Sequence, residues 1–234
     1  MVSNNELNLD GPSDMQVAID DSLFAHRSSI EEQIEKVLLW AHNEIGSEQL
    51  VAAKEQFYWK TGKFFSDDLF YVNRISYFVD AFIFERPLET SSKFSGKTPF
   101  ESFKENNQTS IQEFIHSIFC VHKVSDDYLI LKDLIDTKVR HKISLRESES
   151  FDGILKNDIF QGYIYKIEDK FWMSRGLIFH PYQAYRLIKK SIKKHQKQKE
   201  SQLGLILNQF ARQQLKHKRH DHVNPKIFYA EESK

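Results

Sequence analysis

The sequence predicts an α+β fold: a helical N-terminal part, a small five-stranded antiparallel β module of barrel-like form, and a long basic C-terminal helix. Two observations carry this. Capped, amphipathic runs at a 3.6-residue period fill the first half, and after His116 the pattern changes to short β-branched and aromatic runs separated by polar turns. With 234 residues, 40% of them hydrophobic and 13% aromatic, the chain can bury a sizeable core, and 8 Gly and 5 Pro are too few for a low-complexity polymer.

Taken in order, residues 1–27 read as a disordered acidic tail that fits neither a secretory signal nor a transit peptide. A helical domain follows over 28–116. "SSIEEQIEKVLLWAHNEIG" places Ser29 ahead of Glu31 and Glu32, puts Ile30, Ile34, Val37, Leu38 and Ala41 on one face, and stops near Gly46. "SEQLVAAKEQFYWKTGK" repeats the form, with Ser47 as N-cap and Gly62 as stop. In "FFSDDLFYVNRISYFVDAFIFERPL", Ser66 is the expected cap and Pro87 the stop, and the run is apolar nearly all round, which marks it as the buried centre of this part. Two short helical pieces are expected next. "TPFESFKENN" has Thr98, Pro99 and Glu101 in capping-box order, and "SIQEFIHS" follows it.

The β module is expected over 117–180, from "IFCVHKV", "YLILKDLI", "KVRHKISL", "DIFQGYIYKI" and "KFWMSRGLIF". A basic amphipathic helix is expected over 181–216, and a His- and Lys-rich tail over 217–234. The string "YFVDAFIFERPL", then "GKTPFESF", a strand pair around "LILKDLID" and a hairpin opening "NDIFQGYIY" together resemble an uncharacterised bacterial family with a helical front end and a small β module. Some of its members carry a C-terminal SEC-C metal-binding motif. The resemblance spans Tyr77 to Phe179 and implies this layout without implying an activity; the SEC-C cysteines are missing here, where Cys120 is the single cysteine.

Several chemistries are argued against by the residues. One cysteine excludes an internal disulfide framework and a Cys-rich zinc site, and points to a reducing, cytoplasmic setting. No apolar run approaches the ~18 residues of a membrane span. "SGKT" at 95–98 ends like a phosphate-binding loop, but Ser91 stands where that loop needs glycine. "HKRHDH" gathers His217, His220, Asp221 and His222, yet Lys216, Lys218 and Arg219 beside them oppose a cation, so the cluster reads as a solvated or polyanion-facing tail. No metal and no cofactor are expected. Cys120 and His122, two apart on a predicted strand, with His116 nearby, are the remaining catalytic candidates; the sequence as a whole argues for a non-enzymatic protein.

The formal net charge of zero conceals a polarity along the chain. Residues 1–120 carry 10 Lys and Arg against 19 Asp and Glu, a net −9, whereas residues 181–234 carry 13 against 4, a net +9. The positive end is organised: Arg186, Lys189, Lys190, Lys193, Lys194 and Lys197 fall within an arc of about 140° at ~100° per residue, opposite Tyr185, Ile188 and Ile192. Like charges at this spacing repel by a few tenths of a kcal/mol per pair, which an ordinary mixed-charge face avoids. The expected partner is therefore an anion: RNA or DNA phosphates, with Tyr163, Tyr165 and Trp172 of the neighbouring strands as candidate stacking residues. An anionic membrane surface ranks second. The alternative is a regulatory or scaffold protein that docks on an acidic partner or self-associates, with Leu203, Ile206 and Phe210 as the partner patch.

Overall fold

The protein is described here from a computed structural model, which covers residues 29–88, 94, 96–144, 153–196 and 203–230. The predicted tail at 1–27, and Lys197, lie outside these residues. Four helices lead: α1 (Ser29–Ile45), α2 (Ser47–Thr61), α3 (Tyr71–Glu85) and α4 (Pro99–Asn106). Six strands follow: β1 (Ile111–Val124), β2 (Tyr128–Asp133), β3 (Arg140–Ser144), β4 (Ile159–Ile167), β5 (Lys170–Met173) and β6 (Ile178–His180). A 3₁₀ turn (Tyr182–Ala184) leads into α5 (Tyr185–Gln196), α6 (Leu203–Arg219) and α7 (Pro225–Ala230). The architecture is α+β, as the sequence predicts.

The helical part is held by α3, which buries 11 of its 15 residues. It starts at Tyr71 rather than at Ser66; residues 66–70 form turns in which the Asp68 carboxylate accepts the Phe65 N–H at 2.9 Å. α2 ends at Gly62, whose φ of 92° lies in the left-handed region and whose N–H closes on Tyr58 O at 2.9 Å. The capping box of α4 is present: Thr98 N–H donates to Glu101 at 2.7 Å, and Glu101 N–H donates to Thr98 Oγ1 at 3.2 Å. Thr98 of "SGKT" is thus the N-cap of a helix, and Lys97 pairs with Glu105 at 2.6 Å.

β1 is longer than expected. "SIQEFIHS" is not helical: from Ile111 onward it is the first half of β1, because it pairs antiparallel with β4 from Ile111↔Ile167 to Cys120↔Ile159. The second half pairs with β2, from Phe119↔Asp133 to Val124↔Leu129. Antiparallel β2–β3 and β4–β5 pairs and a parallel contact at Ile143↔Phe171 join β1, β2, β3, β5 and β4 into a ring. Five strands therefore close, as predicted, but the sheet is mixed rather than wholly antiparallel. The run "KFWMSRGLIF" divides into β5 and β6, and β6 pairs with β4 beyond the ring. Phe119, Val121, Leu129, Leu131, Ile143, Phe160 and Ile164, all at 0% exposure, fill the interior, as they must in a barrel this small.

The outer face of the ring carries the helices. Tyr163, Tyr165 and Ile178 pack with α3, where Phe84 lies 4.6 Å from Phe114 and 5.4 Å from Tyr165 between ring centroids. Ile118 and Ile159 pack with Ile188, Ile192, Ile206, Leu207, Phe210 and Tyr229. Burial of this kind contributes roughly 1.5–3 kcal/mol per large apolar side chain. The predicted single helix over 181–216 is thereby two. Ile188 and Ile206 would stand about 27 Å apart on one straight helix, yet they share a cluster, so α6 returns against α5. Residues 217–230 are not a loose tail: they complete α6, turn, and form α7, which buries Tyr229.

Candidate nucleic-acid interface

α5 divides as its periodicity requires. Ile188 and Ile192 are buried against the barrel and α6, while Arg186, Lys190, Lys193 and Lys194 are exposed and Lys189 is half-buried with its ammonium 5.2 Å from the Tyr185 ring centroid. The helix is pinned at both ends. Tyr185 and Cys120 join the same apolar cluster, and Gln196 donates to Ile135 O at 2.5 Å. Among the described residues no carboxylate pairs with Arg186, Lys190, Lys193 or Lys194. The cations therefore share one ridge with no neutralising carboxylate among the described residues.

Two other groups of candidates are placed differently. Tyr163 and Tyr165 are 0% and 1% exposed, inside the contact between α3 and the barrel, so they cannot stack on a base. Trp172 is half-buried and packs against the same core. Ile206 and Phe210, each 1% exposed, are covered by α5 and α7, and Leu203 is half-buried; the apolar side chain on that helix which faces solvent is Leu205. The partner patch is an internal seam because α5 and α6 pack on each other.

Cys120, His122 and His116 lie on the outer face of β1 but do not converge. Burial pushes the Cys120 thiol up, opposed by the nearby Lys132 and Lys189 charges, so the thiolate is disfavoured. The exposed His122 ring faces Arg140 Nη1 at 3.4 Å. His116 belongs to a different assembly, one that has no signature in the sequence. Its Nδ1 lies 2.5 Å from Glu85 Oε1, its Nε2 lies 2.7 Å from Tyr77 Oη, and its ring stacks on Tyr163 at 4.1 Å.

From there a chain of hydrogen bonds crosses the molecule. The Gln161 amide donates to Tyr77 Oη at 2.8 Å and to Leu207 O at 3.1 Å, and its oxygen lies 3.1 Å from His180 Nε2. His180 Nδ1 lies 2.7 Å from Tyr229 Oη. Every donor finds an acceptor when Tyr229 donates to His180, His180 to Gln161, Gln161 to Tyr77, Tyr77 to His116, and His116 to the Glu85 carboxylate. Burial would raise the Glu85 pKa, but the His116 imidazole, the Tyr163 hydroxyl and Lys60 together hold it below the ordinary value. Burial drives His180 down to about 3, so it is neutral, and pushes Tyr77 and Tyr229 up.

Glu85 opens on a cleft of about 510 Å³ between α2, α3 and α6, with Lys60, Arg86 and Asn208 among its lining residues. The inner members of the relay are buried: Tyr77, Gln161, His180 and Tyr229 are at most 6% exposed, so the relay ties the three parts of the fold together rather than presenting a reactive group.

Among the described residues no set of three His, Cys, Asp or Glu side chains is arranged to hold a metal ion, and no helix is long and apolar enough to cross a membrane. Comparison with known protein families, with curated proteins and with solved structures finds no match.

Proposed function

We propose that the protein binds nucleic acid through its phosphate backbone, without sequence specificity and without catalysis, and that α5 is the contact element. One observation supports this reading above the others. A helix anchored on one face by Ile188 and Ile192 presents Arg186, Lys190, Lys193 and Lys194 together on the other, with no carboxylate to offset them among the described residues. Such a row costs stability through like-charge repulsion, and phosphates relieve that cost by displacing condensed counterions. The rival reading, docking on an acidic protein surface or self-association, uses the same cations but loses Ile206 and Phe210, which are buried.

Fluorescence anisotropy with labelled single- and double-stranded RNA and DNA at low salt tests the proposal. Binding is expected for the wild type and loss of at least tenfold for Lys189/Lys190/Lys193/Lys194→Glu. Equal weak binding by both proteins overturns it, and a nuclease-resistant protein complex found by light scattering favours the rival.

A further inference from the structure

We infer that the outer face of β1–β2–β3 is the second half of the binding surface, and that the ligand lying across both halves is a single strand. This rests on the reading of α5 given above. Alternation along the strands points Leu129, Leu131, His141 and Ile143 inward and leaves Lys132, Arg140 and Lys142 on the outside. Pairing sets these cations side by side. Lys132 is directly opposite Arg140, and Lys142 is opposite Ile130. Like charges directly across a ladder destabilise a sheet. Among the described residues no carboxylate pairs with Lys132, Arg140 or Lys142, although Asp126, Asp127 and Asp136 occupy the turns nearby.

The two cationic surfaces adjoin at Cys120, where the Asp158 carboxylate is also near. Tyr185 and Cys120 pack against the same apolar cluster, and Lys132 and Lys189 are both close enough to act on the Cys120 thiol. Since α5 sits on the outer face over Ile118 and Ile159, it forms a ridge about 10 Å across beside the exposed strands. The result is a step, with Lys189 at its wall and Lys132, Arg140 and Lys142 on its floor. Beside that row stands Tyr128, whose ring holds the Lys142 ammonium at 4.5 Å and the Lys123 ammonium at 5.1 Å. A flexible single strand can follow a step, and small barrels bind such strands over about 4–16 nucleotides by combining cations with aromatic rings. A duplex is too broad and stiff to enter the angle and would touch the ridge alone.

Anisotropy with fluorescein-labelled dT4, dT12 and a 12-base-pair duplex separates these cases. The wild type is expected to bind dT12 more tightly than dT4. In Lys132→Gln/Arg140→Gln/Lys142→Gln, dT12 affinity at low salt should fall at least tenfold, and the slope of log affinity against log salt should flatten by about 2, three contacts at ~0.7 each. Duplex affinity should change less than threefold. The single Arg140→Gln substitution, at an exposed position, should shift dT12 binding the same way and guards against a folding defect in the triple variant. If the strand variants bind dT12 like the wild type while the α5 variant does not, the second face is refuted and the α5 reading stands. If the duplex loses as much as dT12, the single-strand assignment is refuted. If the wild type binds none of the three, both readings fail.

Discussion

Tyr77 Oη and His116 Nε2 lie 2.7 Å apart, joining the central helix of the N-terminal part to the longest strand of the barrel. That bond stands in the middle of the relay from Glu85 to Tyr229, so its loss has consequences on both sides. Tyr77→Phe leaves His116 Nε2 without its donor and one Gln161 N–H without its acceptor, both in buried surroundings. Each orphaned group costs about 1–3 kcal/mol. The expected loss, read by urea unfolding, is about 2–4 kcal/mol, with a native circular dichroism spectrum. A loss below ~0.5 kcal/mol would mean that the relay does not hold the parts together.

The barrel meets α3 so closely at Gly176 that a Cβ there would stand 2.5 Å from Tyr77 N and 2.8 Å from Asp80 Oδ2. Asp80 in turn accepts from Tyr165 Oη at 2.6 Å and from Ser174 Oγ. Because the first obstruction is backbone, it cannot rotate away. Gly176→Ala should therefore destabilise by roughly 1–3 kcal/mol, as overpacking does. Unchanged thermal unfolding would contradict the contact.

His180 makes a pH prediction with a definite sign. Its folded pKa is depressed to about 3 by burial, against an ordinary value near 6.5. Between those values the unfolded chain binds the proton that the folded one refuses, so stability rises with pH in that window and falls as pH drops from 6.5 towards 3. The loss should reach on the order of 4 kcal/mol at the acid end. Glu85, whose pKa is lowered, adds a further loss at the acid end, as its carboxylate takes up a proton. Urea titrations from pH 7 to pH 4, with His180→Gln as the comparison, measure this. Equal acid sensitivity of the two proteins would refute it.

What could be read from the sequence was what is decided locally. The Thr98–Glu101 capping box, the breaks at Gly46 and Gly62, and the all-apolar α3 follow from short-range chemistry, and so does the division of α5 into a buried and a charged side. What escaped was decided by partners far along the chain. "SIQEFIHS" becomes strand only because β4, some 50 residues later, pairs with it. Tyr163 and Tyr165 were exposed candidates until α3 was laid over them, and Ile206 and Phe210 were a surface patch until α6 returned onto α5. The cations on the strands were hidden for a different reason: alternating lysines read as an ordinary solvated face until the register shows Lys132 opposite Arg140.

On α5 the effects of mutation should separate by face. Lys190 and Lys193 are exposed, so Lys190→Ala and Lys193→Ala should weaken nucleic-acid binding while changing stability by less than about 0.5 kcal/mol. Ile188→Ala, at 0% exposure, should cost about 2–5 kcal/mol. Paired anisotropy and urea measurements on the three variants check this. A lysine variant that unfolds, or one that binds like the wild type, goes against the division of labour.

The most direct test of the central claim is the salt dependence of oligonucleotide binding. If Arg186, Lys189, Lys190, Lys193 and Lys194 each neutralise a phosphate, log affinity should fall linearly with log salt, with a slope of about −3.5 or steeper for a single strand. The slope should flatten by about 2.8 or more, four contacts at ~0.7 each, in Lys189/Lys190/Lys193/Lys194→Glu. A wild-type slope near zero, or a steep slope that this variant leaves untouched, would contradict the account.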